Sequence, residues 1–311
     1  MKSRFGLVLS SLFAGGVIVY FLFSLWKQWQ TGLLENFTYS ITGILTSMLG
    51  MVGLVVLMAL LWRWLLELLV KKKPSLKAVL KIQILSWLGR YMPGKVGMLL
   101  GKVLLGKEIG LPGAALASSV LYEHLLFISS GFSIVLLTLG SSVVAKLISI
   151  DISVMQVILL VGVILISAPY LIKTAFYLLE KIMTPGDHKD IAVLSLQNTG
   201  LMFLGYHLAH ISAGAGFFLL LHTLIPGIGI TALSAVGIIT AAHLAGILAF
   251  FAPAGLGVRE SVMTWLLLPY MSLDNALSIS ILTRAWSTVA DGILMGGLLL
   301  LRSGKRPVQH R

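Results

Sequence analysis

Six stretches of this chain run for about twenty residues or more with almost no charge: 5–26, 41–62, 112–138, 153–172, 191–221 and 276–301. A helix needs about 20 apolar residues to cross the hydrocarbon core of a bilayer, so each stretch is long enough to span it. Composition agrees, with 58% of the 311 residues hydrophobic and 11% charged, against about a quarter charged in an ordinary soluble domain. A soluble fold is excluded. The expected fold is an all-α polytopic membrane protein with about six transmembrane helices.

The opening Met1-Lys2-Ser3-Arg4 resembles the start of a signal peptide. The apolar run behind it is of span length and lacks a small-residue cleavage site, so it reads as an uncleaved first span. Cysteine is absent, which removes disulfides and thiolate metal sites and leaves the redox compartment open.

With the N-terminus placed in the cytoplasm, nineteen Lys and Arg residues outside the spans fall on that side and two, Lys27 and Lys146, on the other. This is the positive-inside pattern, and it predicts a multi-pass protein of the cell (inner) membrane with both termini cytoplasmic. The net charge of +12 is therefore a topology signal first. No basic domain with interleaved aromatics is present to bind nucleic acid. The cluster Lys71-Lys72-Lys73 with Lys77 and Lys81 is also suited to anionic headgroups at the cytoplasmic face.

Two further apolar segments, about 78–107 and 231–270, are interrupted by Pro and Gly. In the first, Leu88-Gly-Arg-Tyr-Met-Pro-Gly-Lys95 breaks the helical run; in the second, Phe251-Ala-Pro-Ala-Gly-Leu-Gly-Val-Arg-Glu260 does. Proline lacks the backbone donor a helix needs, and glycine adopts conformations other residues avoid. The flanks of the first are basic and those of the second are not, so the pair reads as two re-entrant helical hairpins entering from opposite sides. Kinked full spans are the plainer alternative. Span, hairpin and span then recur as half-repeats of roughly 41–138 and 191–301 in opposite orientation, within one domain covering 1–311. Inverted repeats with paired Gly/Pro-interrupted segments point to a substrate site at the midplane of a transporter.

Ionisable groups cluster in these segments, and each one near the bilayer centre costs at least about 2.5–3.5 kcal/mol on insertion scales. Arg90 and Lys95 flank the first break, Arg259 and Glu260 end the second, and Arg284 and Asp291 share a face of the last span. Glu123, beside His124, lies 11 residues into its own span, about 16 Å deep at 1.5 Å per residue. The functional reading makes Arg90, Lys95, Arg259 and Arg284 cationic donors to a lipid phosphate, Arg being suited to bidentate contact. Tyr91, Pro93, Gly94 and Glu260 complete the candidate substrate site. Glu123 and Asp291, with Glu260, are then the charge-balancing or coupling groups. The structural alternative is internal ion pairs that pin helices, such as Arg284 with Asp291.

His207 and His210 share a helix face, and His243 lies further on. No HExxH motif and no neighbouring carboxylate accompanies them, so hydrogen-bonded structural histidines are expected, with no metal and no cofactor. There is no GxxxxGK[ST] phosphate loop either, so direct ATP drive is not expected.

The run Trp87-Leu-Gly-Arg-Tyr-Met-Pro-Gly-Lys95, followed by Leu105-Gly-Lys-Glu-Ile-Gly110, resembles the first signature of the lysylphosphatidylglycerol synthase transmembrane, or flippase-like, family. The run Phe251–Glu260 resembles its second, with Ala254 where the family often has Gly. Arg284 matches an Arg the family tends to carry in its last span. The resemblance covers nearly the whole chain and implies a polytopic membrane domain. In one family member, the multiple peptide resistance factor, such a domain moves aminoacylated phosphatidylglycerol between leaflets and is fused to a synthase domain. No synthase domain lies within these residues, so lysyl transfer is not expected. Relatives linked to polyprenyl-phosphate glycolipids leave the headgroup open.

The leading expectation is thus a transporter rather than an enzyme: a flippase or scramblase for a phosphate-bearing lipid, either an anionic phospholipid or a polyprenyl-phosphate lipid. Two rivals remain. One is an intramembrane lipid-modifying or glycosyl transferase using Glu123 and His124 as acid and base. The other is an accessory subunit of a membrane glycosyltransferase. A homo-oligomer and a membrane-enzyme partner both stay open.

Overall fold

The computed structural model of the chain describes residues 37–71, 73–92, 96–148, 194–250 and 252–303, with isolated positions elsewhere. The expected spans 5–26 and 153–172 lie outside the described residues, as do Pro93, Gly94 and Lys95. Among the described residues the structure is helical without strands, and the order of elements is simple. A long helix α1 (Ile41–Val70) leads to two short ones, α2 (Leu76–Leu88) and α3 (Val96–Glu108), and then to a second long helix, α4 (Gly113–Ile148). The sequence of lengths then repeats, with α5 (Leu196–Leu224), short α6 (Ala232–Leu248) and α7 (Val258–Leu267), and long α8 (Leu273–Ser303).

Local chemistry sets these boundaries. The hydroxyls of Ser40, Ser75, Ser195 and Thr231 each accept a hydrogen bond from the backbone N–H three residues on, capping α1, α2, α5 and α6. A short polar side chain before an apolar run satisfies a donor that the helix start leaves orphaned. Helix α1 stops at Lys71 in the left-handed region, and α4 kinks at Gly140.

Three helices, Ile41–Val70, Gly113–Gly140 and Leu196–Leu224, are long and apolar enough to cross a membrane. Helix α8 is as long but less apolar, because it carries Asp274, Arg284 and Asp291. Unlike a soluble protein, the chain is apolar outside as well as inside, and its interior also encloses charges. Leu49, Leu204, Leu208 and Leu300 are exposed, while Ser47, Lys102, Glu123, Arg259, Arg284 and Asp291 are buried. With lipid outside, apolar contact does not distinguish helix from helix, and small residues and polar bonds hold the bundle together.

The central contact is α1 against α5, antiparallel along their length. Thr38 N–H donates to the Leu224 carbonyl at one end, Ser212 Oγ donates to the Gly50 carbonyl near the middle, and Gly205 faces Leu61 toward the other. A Cβ on Gly50 would stand 2.5 Å from the Cα of Gly216, so the two backbones touch with nothing between them. Around this seam several neighbour pairs of the first half recur in the second. Helix α2 packs on α1 as α6 does on α5, α3 on α4 as α7 on α8, and α2 on α8 as α6 on α4. The two short helical turns that interrupt the hairpins, Gly89–Tyr91 and Pro253–Gly255, meet each other in the middle.

Candidate functional site

Both breaks depend on close backbone approach. In the second, Ala254 and Gly255 take φ of 49° and 71°, and a Cβ on Gly255 would come within 2.5 Å of the Gly246 Cα on α6. In the first, a Cβ on Gly89 would come within 2.3 Å of the Gly97 carbonyl carbon. Hairpins this tight bring the charged residues beside the breaks to one place.

That place is a cavity of about 50 Å³, room for a few waters or one small oxyanion, since a single water needs roughly 10–15 Å³. Arg90, Tyr91, His243, Arg259, Arg284 and Ser287 supply its polar lining, and Trp87, Met98 and Phe127 are among its apolar lining. Lining comes from both hairpins and both second long helices, so neither half makes the site alone.

Its charges differ in how far they are engaged. Asp291 on α8 accepts from Arg90 Nη2, from Tyr91 Oη at 2.8 Å and from Trp87 Nε1 at 3.1 Å. The Arg90 guanidinium also lies 4.5 Å from the centre of the Trp87 ring. Glu260 is equally occupied: one oxygen accepts from the Gly257 N–H at the start of α7 (2.7 Å) and the other from Arg284 Nη1 (2.7 Å). Arg259 is different. It is 8% exposed, Nη1 donates to Ser287 Oγ at 3.3 Å, and Nη2 has no hydrogen-bond partner. Among the described residues no carboxylate lies within ion-pair distance of it. Among the described residues, three arginines against two carboxylates leave the cavity one positive charge in surplus. A buried charge without a partner is costly, and an oxyanion is the ligand that would relieve it.

The candidate residues are thus partly brought together. Arg90, Tyr91, Arg259, Glu260, Arg284 and Asp291 converge, while Pro93, Gly94 and Lys95 fall outside the described residues. Arg284 and Asp291, on one helix face, do not pair with each other; each takes a partner from a different hairpin. Glu123 does not balance the cavity either. It pairs with Lys102 on α3, both side chains almost wholly buried. The positive-inside count places Lys102 at the cytoplasmic face, yet it lies inside the protein. The signal available was its place in Met98–Leu105, a single charge between apolar triplets. The histidines also have separate partners, His207 at Ser133 Oγ (2.7 Å) and His210 at the Phe127 carbonyl (3.0 Å).

Fold and site define a class: an all-helical membrane protein with a positively charged cavity where two broken helical hairpins meet. Residues 5–294 match the family described as Lysylphosphatidylglycerol synthase TM region, and the chain belongs to that family. Membership ties it to membrane-lipid function, and its apolar helices place it in a membrane. No curated protein matches the chain.

Proposed function

We propose that the protein moves a phosphate-bearing lipid, a phosphatidylglycerol with or without an aminoacyl group or a polyprenyl-phosphate glycolipid, between leaflets as a flippase or scramblase. The observation that carries this reading is Arg259, a buried guanidinium with an unused donor in a cavity of surplus positive charge. The lipid phosphate contacts Arg259 first. Arg284 and Arg90 join as Glu260 and Asp291 release them, while the acyl tails stay in the membrane.

The antiparallel α1–α5 seam and the matched neighbour pairs around it support half-repeats of 41–138 and 191–301 in inverted orientation. Both termini are then cytoplasmic in the cell membrane, and the cavity lies near the bilayer midplane. A cavity of about 50 Å³ is too small for a glycolipid headgroup, so passage requires the hairpins to part. The transferase reading gains nothing from the structure, since neither Glu123 nor His124 lines the cavity.

The test is leaflet-to-leaflet movement of fluorescent phosphatidylglycerol, its lysyl form and a polyprenyl-phosphate lipid in proteoliposomes. Wild type moves at least one of them and Arg259→Ala does not. Equal movement by both proteins, or by neither on any headgroup, overturns the reading.

A further inference from the structure

Glu123 differs from the two carboxylates at the cavity. Asp291 receives three side-chain donors and Glu260 uses both oxygens. Glu123 uses one, toward Lys102, and its Oε1 is buried without a partner. Two other polar atoms nearby are also buried and unpartnered: Tyr206 Oη on α5, within electrostatic reach of Glu123, and His124 Nε2, within reach of Glu123 and Lys102. The Lys102 Nζ sits 4.6 Å from the centre of the Trp62 ring on α1.

Facing groups come from every side. Lys102 approaches from α3, Tyr206 from α5 and Trp62 from α1, while His124 flanks Glu123 on α4 itself. Helix α6 also packs on α4, but its His243 senses Arg259, Arg90 and His210 instead. Buried polar atoms without partners are uncommon in native structures and mark sites awaiting a proton, ion or water.

We propose that Glu123 is a proton-binding site, separate from the lipid-phosphate site, and that a proton and Lys102 compete for its carboxylate. The carboxylate takes one proton from the aqueous phase, and Lys102 keeps its own. Lys102 then lacks an anionic partner, and the ion pair between α3 and α4 is lost, leaving only their packing. Helix α3 begins directly after the first break, so its release frees the hairpin end that carries Arg90. The site does not depend on the lipid reading; what the proton drives does.

The experiment pairs infrared difference spectroscopy with lipid movement, both on the full chain in phosphatidylglycerol vesicles. On acidification wild type gains a protonated-carboxyl band that Glu123→Gln lacks, and Lys102→Met, which removes the competitor, gains that band more readily than wild type. An imposed proton gradient changes wild-type lipid movement several-fold and leaves that of Glu123→Gln unaltered. The double variant Lys102→Met/Glu123→Gln, which strands no charge, replaces the single one where that misfolds. An identical band in wild type and Glu-less protein, or an equal gradient response, overturns the proposal. The expected band without wild-type movement of phosphatidylglycerol, its lysyl form or a polyprenyl-phosphate lipid sustains the proton site and refutes the transport reading. Lipid movement with no Glu123-dependent band does the reverse.

Discussion

The two broken hairpins each deliver an arginine to the same cavity, and the arginines live under opposite conditions. Arg90 is held by Asp291, whose carboxylate also ties down Tyr91 and Trp87, and it stacks on the Trp87 ring. Arg259 has one hydroxyl partner and an idle donor. The first hairpin's charge fastens that hairpin to α8; the second hairpin's charge keeps one donor unused. Position and residue type alone rank them as equals, and partner accounting separates them.

The comparison breaks first on stability. Arg90→Met strands Asp291 as a buried charge and should cost about 3–5 kcal/mol, much of it recovered in Arg90→Met/Asp291→Leu; thermal melting in detergent measures both. Next comes Arg259→Met. It removes an unpaired buried charge, so melting holds or rises, while lipid movement falls about 10–100-fold, in line with about 1.5–3 kcal/mol for a hydrogen bond to a charged group. A variant at 259 that melts early while still moving lipid would reverse the two roles.

A third comparison tests the tight turns. Gly89→Ala and Gly255→Ala each drive a methyl into facing backbone and should cost about 1–3 kcal/mol, with Gly255→Ala the worse because its φ of 71° adds left-handed strain. The smallest effect is Ala254→Gly. Relief of about 1 kcal/mol of left-handed strain is largely offset by the greater freedom of glycine in the unfolded chain, leaving a gain of a few tenths in the melting free energy.

The breaks were legible in the sequence because Pro and Gly act locally. The all-helical membrane fold was legible because a bilayer demands long apolar runs. Partner choice was not. Arg284 and Asp291, seven apart on one helix, look like a pair; in the structure Asp291 binds Arg90 from 201 positions away and Arg284 binds Glu260. Lys102 was hidden by the positive-inside count, which treats every lysine near a basic loop as solvent-facing. Both failures share a cause, since the arrangement of hairpins in space decides which charges meet.

The idle charge at Arg259 also bears on what stays out. A protein that lets a polar headgroup cross a membrane opens a wet path through an insulator, and protons and metal ions follow wet paths. A guanidinium keeps its charge at any physiological pH, and a fixed positive charge in a narrow passage repels cations. On the proposed lipid-moving function, Arg259 would therefore repel cations as well as bind the lipid phosphate, its charge neutralised only while the anion is in place.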